Sequence, residues 1–183
     1  MEQLPPDLVD LGDLTLRRWV PERDLDSLIE LIDGSLEHLR PWMPWVEQHS
    51  REATIAYLDR AETGWREGTA FNYAVVAGGR LIGNSSFFRR APEDDPAGLE
   101  VGYWLHPAAT GHGYMTRAAR ALTELALARP GVRYTTIVTD EANTRSGAVA
   151  RRLGYVVHER NPVEPTTSGE IGIDLVWRYT PPA

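Results

Sequence analysis

The chain has 183 residues, of which 42% are hydrophobic and 25% charged, and it contains no cysteine. That length and balance suit one globular domain over residues 1–183 with a sizeable core, and the missing thiols exclude disulfides, thiolate metal sites and a covalent thioester on the enzyme. A net charge of −7 argues against nucleic acid as a partner and favours a cationic substrate such as a protonated amine.

The N-terminal stretch lacks a basic region followed by an apolar run, and no apolar segment is long enough to span a bilayer. The expected location is the cytoplasm, with no membrane partner. Leu14 to Val20 has strand character, and Asp24 is the expected cap of a helix whose Leu25, Leu28, Ile29, Ile32 and Leu36 form one apolar stripe. Pro41 and Pro44 stiffen a following loop that carries Trp42, Met43 and Trp45. Two tryptophans in so short a loop read either as a lid packed on the core or as a grip on substrate. Ser50 caps a second predicted helix bearing Ile55, Leu58, Ala61 and Trp65.

A hairpin is expected next, from Ala70 to Ala77, through the Gly78-Gly79 turn, and back from Leu81 to Phe88. After a loop over residues 91–98, Leu99, Val101, Tyr103 and Leu105 alternate with Glu100, Gly102, Trp104 and His106, the period of a two-faced strand that Pro107 ends. Gly111 and Gly113 bracket His112, and a helix then runs from Tyr114 to Arg129 with Ala118, Ala121, Leu122 and Leu125 on one side. Strands at Tyr134 to Thr139, Tyr155 to Arg160 and Ile171 to Tyr179, a short helix from Asn143 to Leu153, and a mobile loop from Asn161 to Gly169 complete the pattern.

Glycines where a helix begins leave backbone N–H groups open to an anion, because that end carries unpaired donors and a partial positive charge. An isolated Gly-x-Gly also reads simply as a tight turn. Thr116 stands where a dinucleotide fingerprint needs its third glycine, and no Gly-Lys-Ser/Thr is present, so neither of those phosphate loops fits. Thr110 to Met115, TGHGYM, does resemble the acyl-CoA turn of the GNAT acetyltransferase superfamily, Gln/Arg-x-x-Gly-x-Gly/Ala. The run EVGYWLHP before it is most similar to the RimJ/RimL-like branch, which acetylates ribosomal-protein N-termini. Thr110 departs from the Gln/Arg position and Met115 from the Gly/Ala position.

The resemblance covers almost the whole chain and implies an α/β GNAT fold, with a mixed, mostly antiparallel sheet of about seven strands and helices on both faces. It implies acetyl-CoA as cosubstrate, held by Leu105, Thr110, Gly111, His112, Gly113, Tyr114, Met115, Thr116 and Asn143, with Trp42 and Trp45 near the acceptor. Glu100 becomes the base, acting through water, where the pattern alone also allows a surface carboxylate. The backbone N–H of Leu105 would polarise the thioester carbonyl. The helix tyrosine that serves many superfamily members as acid is replaced by Ala150. In the branch's Asn-x-x-Ser, matched by Asn143 and Ser146, Ser146 would pass a proton to the CoA sulfur; pattern alone reads the pair as a helix cap and a first-turn residue.

The implied reaction is direct transfer of acetyl to a primary amine in a ternary complex. A protein N-terminal α-amine is favoured because its pKa of about 8 lies below the roughly 10.4 of lysine. Acetylation of a small-molecule amine, such as an antibiotic or amino-acid conjugate, and a non-catalytic acyl-CoA-binding module are the alternatives, and a homodimer is left open. The histidines at 38, 49, 106, 112 and 158 show no metal-ligand spacing, so no metal is expected. Arg117, Arg120, Arg151 and Arg152 are candidates for CoA phosphates or for solvated helix faces.

Overall fold

The computed structural model describes residues 4–90 and 95–182, so residues 91–94 of the loop expected before the Leu99 strand lie outside the described residues. In chain order the elements are β1 (Leu8–Asp10), β2 (Leu14–Arg18), α1 (Pro21–Asp33), α2 (Leu36–Leu39), a 3-10 turn (Pro44–Gln48), α3 (Arg51–Glu67), β3 (Ala70–Ala77) and β4 (Arg80–Phe88). There follow β5 (Gly98–Leu105), a 3-10 turn (Pro107–Ala109), α4 (Tyr114–Leu127), β6 (Tyr134–Asp140), α5 (Thr144–Arg152), β7 (Val156–Pro162) and β8 (Ile173–Tyr179). The sheet has eight strands in the order β1-β2-β3-β4-β5-β6-β8-β7. The strand beyond the expected seven is β1, a short edge paired to β2 through Val9 and Leu16.

Several local expectations are corrected. Val20, not Asp24, is the N-cap of α1, because Pro21 supplies the first helical residue with its φ already set. Leu36 belongs to α2 rather than to the α1 stripe, and Ile55 on α3 faces solvent, leaving Leu58, Ala61 and Trp65 as that helix's buried side. The segment from Asn161 to Gly169 is not a free loop: β7 runs on to Pro162, and Glu170 accepts hydrogen bonds from the N–H groups of Thr166 and Thr167.

Side chains alternate across the sheet, so each face has its own core. Trp19, Leu28, Leu31, Ile32, Leu58 and Ala74 pack where α1 and α3 lie. The larger cluster joins Leu16, Phe87, Val101, Leu122 and Ile137 on the side covered by α4 and α5. Tyr155 ties that side together, its hydroxyl lying 2.7 Å from both Thr123 on α4 and Thr135 on β6.

Every strand pair is antiparallel except β5–β6. That parallel pair spans only Gly98–Tyr134, Leu99–Thr135 and Glu100–Thr136. Beyond it, β5 stays with β4 as far as Leu105 and β6 stays with β8 as far as Asp140, so the sheet divides into two sides of a wedge.

At the other end of the sheet, Asp24 anchors α1 to β2. Its carboxylate accepts from both guanidinium groups of Arg17 and Arg23 and from the Val20 N–H. Burial opposes ionisation there, but these donors outweigh it and hold the pKa down at about 2. The depressed value means that Asp24 stabilises the fold above its unfolded pKa near 3.8 and loses that contribution as pH falls toward 2. Asp24→Asn should therefore cost about 2 kcal/mol in urea unfolding at pH 7, and the difference from the parent should shrink on acidification through that window.

Candidate active site

The wedge is set by which backbone groups β5 leaves unpaired. The His106 N–H donates to the Ile82 carbonyl at 2.8 Å, which fixes the phase of the β4–β5 ladder. By the alternation of an antiparallel pair, the N–H groups of Trp104 and Gly102 point at β4, and those of Leu105 and Tyr103 point into the wedge. Leu105 thus presents a donor to the gap, the position its expected role requires.

Register also assigns the two faces. Glu100 pairs with Thr136 and Asp140 with Asp174, so Glu100, Asp140 and Asp174 share the face that carries Trp104. Tyr103, Ile137, Thr139 and Trp177 belong to the opposite face, beneath α4 and α5. One cavity of about 920 Å³ runs through the wedge and is lined from both sides, with Trp42, Trp45, Glu100, Tyr103, Ser146 and Asp174 among its walls.

Gly111 and Gly113 lie just beyond β5, with φ of +83° and +75°, and Gly113 is the N-cap of α4. A Cβ at either would meet nothing within 4 Å, so both face open space. The first helical bond runs from the Arg117 N–H to the Gly113 carbonyl, and the N–H groups of Tyr114, Met115 and Thr116 precede it at the positive end of the helix. Met115 itself is buried in the core and Thr110 bonds its own turn through the Pro107 carbonyl, so what the turn offers an anion is backbone. His112 is exposed 5.7 Å from the Tyr114 ring. This open cradle fits the diphosphate of CoA, and the wedge fits its extended arm.

Of the arginines considered for phosphate contact, Arg117 turns instead to Asp13 and the Leu11 carbonyl in the β1–β2 turn. Arg151 lies over the Trp177 ring. Arg120 and Arg152 are exposed.

Ser146 sits in the first turn of α5, where the Asn143 side chain caps the helix by accepting from the Ser146 N–H. The Ser146 hydroxyl donates to the Tyr103 hydroxyl at 3.2 Å, and that phenol in turn donates to the Ser146 carbonyl. Burial pushes the Tyr103 pKa up to about 12, against the opposing bond from Ser146, so the phenol keeps its proton. Ala150 is fully buried against the core, and Tyr103 reaches Ser146 at the site. Sequence reasoning missed it because its place in the alternation marks it as core.

Glu100 does line the cavity, but both carboxylate oxygens are taken by Arg90, at 2.6 and 2.8 Å. The ion pair turns that carboxylate toward Arg90. Trp45 is half-exposed with its ring 6.0 Å from that of Trp104, and Trp42 lines the same wall. The aromatic loop therefore faces the cavity as well as packing on β5. Opposite it, the β7–β8 loop reaches across: the Thr167 hydroxyl and the Gly169 N–H both donate to the Pro41 carbonyl, the latter at 3.1 Å. Among the described residues no group of three or more His, Asp or Glu side chains is placed to hold a metal ion, and no helix is long and apolar enough to cross a membrane.

A sheet that parts beside a glycine turn at a helix start, with a cavity passing through the gap, is an architecture suited to an acyl-CoA-dependent acyltransferase. The family model for the acetyltransferase (GNAT) domain matches residues 13–156, and the chain belongs to that family. It is an acetyl-CoA-dependent N-acetyltransferase. It is 29% identical over 147 residues to the Bacillus subtilis protein named "Putative ribosomal N-acetyltransferase YdaF", covering 78% of each chain. Among solved structures it superposes on RimL, the ribosomal L7/L12 α-N-protein acetyltransferase in complex with CoA, with a TM-score of 0.85 and 21% identity over 94% of this chain and 97% of that one. MccE, the microcin C7 self-immunity acetyltransferase in complex with acetyl-CoA and AMP, also gives a TM-score of 0.85, at 17% identity over 97% and 98% of the two chains.

Because Gly113 holds a positive φ that a side chain resists, Gly113→Ala should cost about 1 kcal/mol of stability. Its larger effect should be a several-fold rise in the KM for acetyl-CoA with little change in kcat, measured by steady-state thiol release.

Proposed function

We propose that the chain acetylates the α-amine of a protein N-terminus, by direct attack of the amine on the thioester of acetyl-CoA. The observation that carries this reading is the two-sided cavity with its aromatic, carboxylate-lined wall, in a wedge where β5 parts from β6; the glycine turn lies just beyond β5. The acidic wall and the net charge of −7 favour a cationic acceptor. An α-amine gives up its proton more readily than a lysine, at a pKa of about 8 against about 10.4. The names of the YdaF and RimL proteins lend support.

In this reading acetyl-CoA supplies an activated acyl group, and the residues of the chain position it and move protons. Leu105 offers its N–H to the thioester carbonyl, a fixed donor that needs no rearrangement. Gly111, His112, Gly113, Tyr114, Met115 and Thr116 provide the backbone cradle, with Thr110 before it and Asn143 beside the arm. Ser146 gives a proton to the departing sulfur, and its bond to Tyr103 fixes where its hydroxyl lies. Trp42 and Trp45 border the acceptor. Glu100 holds the Arg90 guanidinium on the acceptor side.

A small-molecule amine is the second reading. It is favoured by the bridge from Thr167 and Gly169 to Pro41, which spans the acceptor end, and by the likeness to MccE.

Thiol release from acetyl-CoA separates the two, with no background because the protein has no cysteine. Peptides beginning with Ala or Ser should support release and free small amines should not; the reverse result would select the small-molecule reading. Ser146→Ala should lower kcat by about 10- to 100-fold and leave the KM for acetyl-CoA nearly unchanged. An unchanged kcat would remove Ser146 from proton transfer.

A further inference from the structure

An amine acceptor reaches the enzyme largely protonated at neutral pH and must lose that proton before it can attack. The group that takes it must lie on the acceptor face, must be anionic, and must not already be saturated with donors. The carboxylates on that side of the cavity can be sorted by what they already bind.

Glu100 has one oxygen on each of two Arg90 nitrogens. Asp140 is saturated by backbone, accepting from the N–H groups of Ala142, Ile171, Gly172 and Ile173 at 2.8 to 3.2 Å. Glu170, in the β7–β8 loop, accepts from Thr166 and Thr167 through one oxygen, Oε2. Glu164, in the same loop, is exposed. Asp174, near the start of β8, is half-buried in the cavity wall, and among the described residues its side chain has no hydrogen-bond or ion-pair partner.

Its position follows from register. Asp174 pairs with Asp140 on one side and Asn161 on the other, which puts it on the Glu100 and Trp104 face of the sheet, across the wedge from β5. The charges around it are Asp140 from β6, Glu170 from the β7–β8 loop, and Arg90 from the end of β4, which is itself held by Glu100 on β5. Two carboxylates crowd Asp174 and one guanidinium partly offsets them.

We propose that Asp174 is the catalytic base, binding the acceptor ammonium and taking its first proton. The inference rests on the acetyltransferase reading above and assigns within that same cavity a residue that no sequence motif marked. The amine nitrogen loses two protons in all. The first passes to the Asp174 carboxylate and then to solvent. The second leaves the nitrogen as the new C–N bond forms and the C–S bond breaks; it replaces the proton that Ser146 gives to the departing sulfur, so the sulfur leaves as a thiol and one proton in all is released to solvent. Burial, then the nearby Glu170 and Asp140, push the Asp174 pKa upward against Arg90, which strengthens it as a base.

The test is the pH dependence of kcat/KM, measured by thiol release with whichever amine the parent enzyme acetylates best. Asp174→Asn should lose about 10-fold near pH 7, where only about a tenth of an α-amine of pKa about 8 is neutral, and the deficit should shrink toward parity by about pH 9, where that amine arrives already neutral. Asp174→Glu, which keeps the carboxylate, should recover most of the rate, and Asp174→Ala supplies the pH-dependent deficit if the Asn variant folds poorly. Glu100→Gln should show no such convergence with pH. A deficit of equal size at pH 7 and pH 9, or no deficit, overturns the assignment. Parent turnover with small amines alone would change the acceptor class and leave the Asp174 signature to be read with those amines; no turnover with any amine would overturn both readings.

Discussion

The molecule depends on the early parting of β5 from β6. Three residue pairs join these parallel strands and then the ladder stops, although both strands continue. A sheet that opens in its interior leaves N–H and C=O groups without strand partners, and buried groups in that condition are costly. The opening persists because each side is held by another neighbour, β4 on one flank and β8 on the other. The unpaired edge of β5 is thereby kept rigid and available, which is what an extended ligand arm needs from a protein.

Asp140 makes the far side of the wedge equally fixed. Its carboxylate collects four backbone donors, three of them from the residues that lead into β8. Burial raises its pKa, and those donors more than reverse the effect and keep it low. β8 therefore begins at a defined point beside the end of β6, and Asp174 follows one residue into that strand. The β7–β8 loop then crosses to the Pro41 carbonyl, where a Cβ on Gly169 would come within 2.5 Å of the same oxygen. The bridge thus requires glycine for space, and it links the two segments that wall the acceptor end.

Much of the fold was legible because it rests on local pattern. The alternation at Leu99 to Leu105, the glycine pair ahead of Tyr114 and the Gly78-Gly79 hairpin each report a short-range steric fact, and the strands and helices stand where those facts put them. β1 was not legible, being three residues long with Leu8 exposed. The cap of α1 was misread because Asp24 is a residue type that caps helices, whereas here it serves as a buried anchor for two arginines. Of the site, local pattern reports the turn of backbone at Gly111 and Gly113 but not how the side chains pair. Which carboxylate is saturated and which is not depends on Arg90, and on four N–H groups that meet at Asp140, and no spacing in the chain reports either. The Tyr103–Ser146 contact likewise joins residues 43 positions apart.

Charge is divided between the two ends of the cavity in a way that composition alone obscures. A chain of net charge −7 repels a polyanionic cosubstrate at long range, so the proposed reading has CoA held by short-range donors at the start of α4, where Arg117 is paired with Asp13. At the proposed acceptor end the same negative charge would assist, drawing in a protonated amine. Attraction by itself would also keep the amine protonated and unreactive, since a nearby anion favours the charged form. An acidic wall becomes productive only if one of its carboxylates can accept the proton it has attracted. The wall here meets that condition unevenly: Glu100, Asp140 and Glu170 are each committed to donors within the protein, and their commitment leaves Asp174 as the half-buried carboxylate with its lone pairs unclaimed.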